Sequence, residues 1–262
     1  LTDGTLTDKT KAHYAERANR ELADNLEQSD LSIRQQLTVA ARMMALEGHD
    51  AGVAGQITAK AERPGTYWTL RLGRGFDEAT PDQFLLVDDD LKTLEGEGHP
   101  NPATRFHMWV YRARPDLNAI FHAHPPYISA LSTLQTPLIV AHMDQTPFME
   151  DCAFLAEWPG LPIADDEGRI ISEALGDKMS IILAHHGYLT SGRTVAEASF
   201  LSVYLERAAR MQMRAAAVGA IKPVDTDLAL ESRNFLKSPL VVDTTFAYFT
   251  RKVVNRFGVD VL

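Results

Sequence analysis

The chain reads as an α/β or α+β protein built on one central sheet. Three observations carry that expectation. Short β-branched and apolar runs interleave with capped helical stretches along the whole length. No internal repeat, low-complexity segment or linker divides the 262 residues, and that length suits one large domain, or one domain with attached terminal helices. Two of the apolar runs, Ala119-Ile120-Phe121 and Ser180-Ile181-Ile182-Leu183, lead directly into histidines. No Gly-x-Gly-x-x-Gly turn follows the early strands, which argues against a dinucleotide fold.

The elements follow in order. Residues 8 to 29 are polar and rich in Ala, Glu, Arg and Lys, fitting a peripheral helix or a mobile arm. Ser32-Ile33-Arg34-Gln35 is a capping box, and the helix it opens carries Leu37, Ala40, Ala41 and Met44 on one face before stopping near Gly48. Gly52 and Gly55 lead into a short alternating strand through Ala59, where the backbone comes close to something. Tyr67 to Leu72 and Phe84 to Val87 are two more strands. The loop Gly73-Arg74-Gly75 is either a solvated turn or a presenter of Arg74 to an anionic substrate group. Asp88-Asp89-Asp90 reads as a solvated turn.

Asn101 and Pro102 open a helix as N-cap and first helical residue, and Arg105 to Arg114 fill it. Asn118 to Ala123 is the central strand. A helix from Pro126 to Ser132, a strand from Leu138 to Ala141 and a loop to Cys152 come next. Asp165 to Leu175 is a helix closed by Gly176. Ser180 to Ala184 reads as the last central strand. Thr194 and Glu197 cap a long helix through Arg214, and Asp225 to Leu262 mixes helix formers with an aromatic run. The expected division is an N-terminal helical arm over 1–30, a main domain over 31–220 and an extension over 221–262 that packs on the domain or on a neighbouring subunit.

Composition narrows the function. A net charge of −9 disfavours nucleic acid or an anionic membrane as partner, and no apolar run approaches a membrane span. Cys152 is the only cysteine, so neither an internal disulfide nor a thiolate metal cluster is available, as befits a reducing cytoplasm. The first residues lack the charged-then-apolar form of a signal peptide.

The histidines carry the chemistry. Side chains two apart on a strand share a face, so His122 and His124 converge, and one further ligand completes a catalytic metal set with an open position. By the same alternation His186 shares a face with Ile182 and Ala184, which makes it the third ligand and His185 a neighbour.

Arg105-Phe106-His107 through Tyr111, Arg114-Pro115-Asp116, Ala119 to His124, His186-Gly187 and Gly192-Arg193-Thr194-Val195 with Glu197-Ala198 resemble the class II aldolase/adducin family over about residues 33 to 217. The resemblance implies an α/β/α three-layer sandwich with a central, mostly antiparallel sheet, and a homotetramer. It also implies one divalent ion per subunit on His122, His124 and His186, with Zn, Mn, Co and Fe all compatible with three imidazoles. The family's sugar-phosphate aldolases carry Ser-Ser-Glu where this chain has Asn101, Pro102 and Ala103. Alanine cannot transfer a proton, and proline offers neither hydroxyl nor N–H. The family's Gly-Asn-x-Ser turn becomes Gly55-Gln56-Ile57-Thr58.

The expected activity is therefore that of a metal-dependent carbon–carbon lyase on a non-phosphorylated oxo- or hydroxy-acid, by aldol-type cleavage or decarboxylation through a metal-stabilised enolate. Gln56, Arg74 and Asn101 are the candidates for holding the carboxylate substrate. Tyr127, Glu150 and Asp151, with Asp144, are the candidates to replace the absent glutamate. The alternatives are a mononuclear non-haem iron oxygenase on an aromatic or oxo acid, and a non-enzymatic adducin-like interaction module, against which the retained trio argues.

Overall fold

A computed structural model describes residues 9–26, 30–161 and 163–262. Its elements are helices α1 (Lys11–Asn25) and α2 (Ile33–Leu46), then strands β1 (Gln56–Lys60), β2 (Thr66–Leu70), β3 (Phe84–Asp88) and β4 (Thr93–Glu95). Helix α3 (Arg105–Ala113), strand β5 (Ala119–Ala123), helix α4 (Pro126–Thr133), strand β6 (Cys152–Leu155) and helix α5 (Asp165–Leu175) follow. Strands β7 (Ser180–Leu183) and β8 (Tyr188–Gly192) and helices α6 (Val195–Ala216), α7 (Thr226–Leu236) and α8 (Pro239–Phe257) complete the chain.

The eight strands form one sheet in the order β4-β3-β2-β1-β5-β8-β7-β6, antiparallel at every pairing except β6 with β7. Alternation sends the two faces of each central strand to different helical layers. On one face Thr58 meets His107 and Tyr111 of α3, which packs in turn on α5. On the other face Tyr188 and Thr190 look toward α6, where Thr190 meets Ser202, and α6 packs with α2 and α8. The core is correspondingly apolar, with Ile57, Ile120, Phe121, Leu189, Phe200 and Leu205 almost fully buried.

Local chemistry accounts for most boundaries. Ser32 and Gln35 close the capping box of α2, and Thr194 accepts the Glu197 N–H at the start of α6. Gly176 ends α5 at φ 58°. Gly168 on α5 lies so close to α3 that an added Cβ would meet the Trp109 ring at 2.5 Å, which is how two helices in one layer come together. Helix α1 buries none of its side chains and is tied to α7 by Lys11–Glu231. Helix α8 buries Val242, Phe246, Phe249 and Val253 against α2 and α6 of its own chain. Among the described residues, no helix is long and apolar enough to cross a membrane.

Several expectations are corrected. Ser180–Leu183 is not the last central strand: β8 follows it and inserts between β5 and β7. Leu138–Ala141 pairs with no strand among the described residues; its backbone is instead held by Gln212 and Gln145. The run to Cys152 contains a 3-10 turn over Met143–Phe148 and feeds β6. The edge strand β4 was not expected, and residues 1–8 and 27–29 of the predicted arm lie outside the described residues.

Candidate metal centre

Register defines the two ends of the sheet. Ala123 pairs with Tyr188 and Ala119 with Gly192, while Leu155 pairs with Leu183, so the C-terminal ends of β5, β6 and β7 lie together with the start of β8. The start of β1 joins them, because Gln56 pairs with His122. All three histidines gather at this end.

His122 is the last but one residue of β5 and is almost fully buried, with the Phe106 ring edge-on at 5.1 Å. Its Nδ1 donates to the Tyr188 carbonyl at 2.6 Å, a contact that fixes the proton on Nδ1 because a carbonyl can only accept. The Nε2 lone pair is thereby left facing His124 Nε2, 2.9 Å away. His186 stands 4.7 Å from the His122 ring and 4.6 Å from the His124 ring, centre to centre. One ring nitrogen from each residue lies within 4.8 Å of the others.

His186 reaches this position by a different route from strand alternation. The strand ends at Leu183, and the turn to β8 passes through His185 in the left-handed region at φ 57°. His185 is exposed and bonds to Gln135, outside the cluster. Gly187 then passes so close to β5 that a Cβ there would stand 2.3 Å from the Ala123 carbonyl oxygen and 2.6 Å from His124 Cδ2. Only glycine permits that approach.

The electrostatics keep the trio neutral. Burial lowers the pKa of all three, that of His186 to about 4, and each of His122 and His186 is lowered further by its histidine neighbours. Neutral imidazoles with converging lone pairs are the ligand form a divalent cation needs, and the locked Nδ1–H of His122 is the usual outer partner of such a ligand. The residues fit a bound divalent ion.

The other candidates divide between the two ends. Gln56 lies beside His122, is 6% exposed, and its Oε1 has no partner among the described residues. Arg74 follows β2 at the histidine end, with its guanidinium on Glu78 at 3.2 Å. Asn101 caps the turn before α3, its Oδ1 accepting the Ala103 N–H. Tyr127 sits on α4 three residues past His124, its hydroxyl accepting from Arg214 at 3.3 Å. Asp144 is exposed and gives its N–H to His142.

Glu150 and Asp151 are not brought to the histidines. They precede β6 at the opposite end, about 13 Å away along a five-residue strand. Asp151 accepts the Met179 N–H and pairs with Lys237, and the Glu150 carbonyl accepts from Lys178. Their carboxylates line a charged cleft with Asp177, Arg193 and Lys237. The sequence shows no sign of the strand that leads from Cys152 to the histidine end, and without it the loop before Cys152 cannot be assigned to either end of the sheet.

Three contributors had weak sequence signals. Tyr188 acts through its backbone carbonyl, which no side-chain motif encodes. Gly187 acts by close approach. Glu206 lies in the middle of an ordinary-looking helix, where its spacing of one turn from Ser202 and Ala209 was the available signal.

A three-layer α/β/α sandwich with a histidine trio at the rim of a mostly antiparallel sheet defines a known class of protein. The class II aldolase and adducin N-terminal domain matches residues 35–213, and the chain belongs to that family. It is 35% identical over 195 residues to 4-hydroxy-3-prenylphenylpyruvate oxygenase/4-hydroxy-3-prenylbenzoate synthase of Streptomyces roseochromogenus subsp. oscitans, covering 73% of this chain and 70% of that one. The decarboxylase NovR of Streptomyces niveus is also 35% identical over 195 residues, covering 73% and 72%. Among solved structures, L-fuculose 1-phosphate aldolase from Glaciozyma antarctica PI12 superposes with a TM-score of 0.81 at 27% identity, covering 92% of this chain and 98% of that one.

Proposed function

We propose that the chain is a metal-dependent enzyme that breaks a carbon–carbon bond in a non-phosphorylated oxo- or hydroxy-acid, with decarboxylation favoured over aldol cleavage. The observation that carries this reading is the contrast at one site: three neutral, converging imidazoles are present, and Ala103 stands where the family's sugar-phosphate aldolases place a glutamate. His122, His124 and His186 would hold the ion. When bound, the ion supplies a Lewis acid for the substrate's carboxylate and neighbouring oxygen.

The residues around it do the rest. Ala103 offers no base, which suits a step in which carbon dioxide leaves in place of a proton. For this the departing carboxylate must stand on the carbon next to a carbonyl, so that the electron pair of the broken bond passes into that carbonyl as an enolate, and a proton returns to carbon afterwards. Gln56, whose buried Oε1 is unpartnered beside His122, is suited to accept a hydrogen bond from a substrate hydroxyl. Arg74 and Asn101, at the same end, are the further substrate contacts. Tyr127 is the phenol nearest to His124 in the chain and the candidate proton donor. We place the active form as a homotetramer in the cytoplasm.

The name of one Streptomyces relative, decarboxylase NovR, supports a decarboxylation, and the name of the other is that of an oxygenase. That name favours one second reading, an iron-dependent oxygenation of an aromatic oxo-acid on the same trio. Elemental analysis of untagged protein, then a panel of oxo- and hydroxy-acids that includes acids with a carbonyl one carbon from the leaving carboxylate, assayed under air and under argon, separates the readings. Carbon dioxide release under argon is the expected result, and pyruvate release would select the aldol arm. Turnover only in air, with dioxygen uptake and bound iron, replaces the lyase with the oxygenase. Metal-free protein whose activity survives His122→Ala ends both.

A further inference from the structure

Helix α4 begins two residues after His124, and its first turn has an unusual accounting. A helix start leaves its first backbone N–H groups without partners inside the helix. Here Pro126 at the first position has none to offer, and the Ser129 N–H already bonds to the Pro125 carbonyl at 2.9 Å. The two remaining donors, Tyr127 N–H and Ile128 N–H, both go to one side chain: Glu206 Oε1 at 3.0 Å and Oε2 at 2.9 Å. Pro125 makes no side-chain cap, so the carboxylate of a different helix, α6, does the capping. Glu206 is 5% exposed, and the two amides compensate its burial, with a further contribution from the Arg210 charge.

The link from this clamp to the histidine is short and stiff. Pro125 and Pro126 each have φ fixed by their rings, and a residue before proline is confined to extended conformations. Pro125 stands at φ −69° and ψ 156°. The restriction on residues before proline applies to His124 as well as to Pro125, so little torsional freedom separates the His124 backbone from the clamped turn. On its other side His124 is bounded by Gly187.

We propose that Glu206 is a positioning residue for His124: its buried carboxylate holds the first turn of α4, and the Pro125–Pro126 link carries that hold to the imidazole. The inference rests on the metal reading given above. Ligand-orienting groups usually act by a hydrogen bond to the free ring nitrogen, as Tyr188 does for His122, and their loss costs metal affinity by about 10- to 100-fold. Glu206 serves the same end through the backbone.

The test is Co(II) affinity, measured by competition with a chromogenic chelator, together with the ligand-field spectrum of the bound ion. Wild type, Glu206→Gln, Glu206→Asp and Gln212→Ala are compared. Glutamine keeps one acceptor oxygen and loses the charge, and aspartate keeps the charge but falls short of the amides. Gln212 is the control: it lies on the same helix, is about as buried, and clamps the Ile139 N–H at 2.7 Å in the segment Leu138–Ala141, which among the described residues makes no hydrogen bond to His122, His124 or His186. Glu206→Gln is expected to weaken Co(II) binding about tenfold and alter the spectrum, with Glu206→Asp between it and wild type. Gln212→Ala is expected to lower the melting temperature and leave Co(II) binding unchanged. If Glu206→Gln does not fold, Glu206→Asp is read in its place. Wild-type protein that takes up no Co(II) removes the metal reading itself. Wild type that binds, with Glu206 variants that bind equally well or no worse than Gln212→Ala, removes only the positioning role.

Discussion

The two ends of the central sheet solve opposite electrostatic problems with the same strands. At one end His122, His124 and His186 are gathered with their charges suppressed: burial lowers the pKa of all three, the neighbouring histidines lower His122 and His186 further, and no carboxylate bonds to any of them among the described residues. At the other end the side chains are charged and matched, Asp151 with Lys237 and Arg193 with Glu197, and the Asp151 carboxylate also takes a backbone N–H. Unpaired acceptors waiting for a cation mark a site of chemistry, whereas charges already satisfied by one another mark a joint that holds elements together. Residue type alone does not make this distinction, since both ends carry titratable side chains in loops after or before short strands.

The largest effect expected from breaking the comparison is at the histidine end. His122→Ala should abolish stoichiometric metal and lower turnover on the order of 10³-fold, corresponding to several kcal/mol of lost Lewis-acid stabilisation. Metal content by elemental analysis and kcat together check it. Gly187→Ala comes next. Its Cβ would intrude on the Ala123 carbonyl and on His124, so a loss of about 2–4 kcal/mol in denaturant unfolding should accompany weaker metal binding. An alanine variant with wild-type stability and metal content would show that the turn can give way.

Asp151→Ala acts at the other end and should part stability from metal binding. It strands the Lys237 ammonium, whose side chain is 15% exposed, and frees the Met179 N–H, for a cost of about 2–3 kcal/mol. Metal affinity should not move, and Lys237→Met added to it should restore part of the loss. Glu150→Ala should leave metal content unaltered and activity within about twofold, since its carboxylate lies in the open cleft a strand's length away. Either variant losing its metal would erase the distinction between the ends.

The smallest effect per step is in pH. His49, bonded to the Tyr188 hydroxyl, and His107, bonded to Thr58, are fully buried, and burial lowers each to about 3. The unfolded chain takes up these protons below about 6.5 while the folded chain does not, so the stability they contribute is complete above that pH and is lost as pH falls toward 3. Glu206 opposes them: burial raises it to about 7, so its contribution is present below its ordinary 4.5 and fades as pH rises toward 7. His186, lowered to about 4, and His122 and His124, also lowered by burial, act in the same direction as His49 and His107, so stability rises with pH between about pH 4.5 and 6.5, each fully suppressed histidine contributing a slope of about 1.4 kcal/mol per pH unit. Denaturant midpoints of wild type and His49→Gln across that range measure it, and a slope unchanged in the variant would contradict the assignment.

Much of the fold was legible because local and tertiary preferences agree. Ser32 with Gln35, Asn101 with Pro102, and Thr194 with Glu197 each announce a helix start that the structure keeps. Strand β8 was missed because Tyr188-Leu189-Thr190-Ser191-Gly192 sits between glycines and polar residues, although Tyr, Leu and Thr suit a sheet; its burial comes from β5 and β7 on either side. Strand β6, Cys-Ala-Phe-Leu, has no β-branched residue and is a strand only because β7 pairs with it. In the candidate site, His122 and His124 follow from strand periodicity, whereas His186 depends on a turn whose left-handed residue is a histidine. Glu150 and Asp151 were misplaced because distance along the chain says nothing about which end of a sheet a loop occupies.

The insertion of β8 between β5 and β7 has a consequence for the cost of assembling the site. His124 and His186 are roughly sixty residues apart in the chain, and bringing such distant groups together ordinarily carries a loop-closure entropy. Here the pairing of β5 with β8, and of β8 with β7, closes that loop through backbone hydrogen bonds before any ligand arrives. The ring nitrogens therefore meet as a by-product of sheet formation, and an ion entering the site orders side chains without having to gather the polypeptide. Its contribution to stability is then one of mass action, growing with the logarithm of free metal, and the topology does not depend on it.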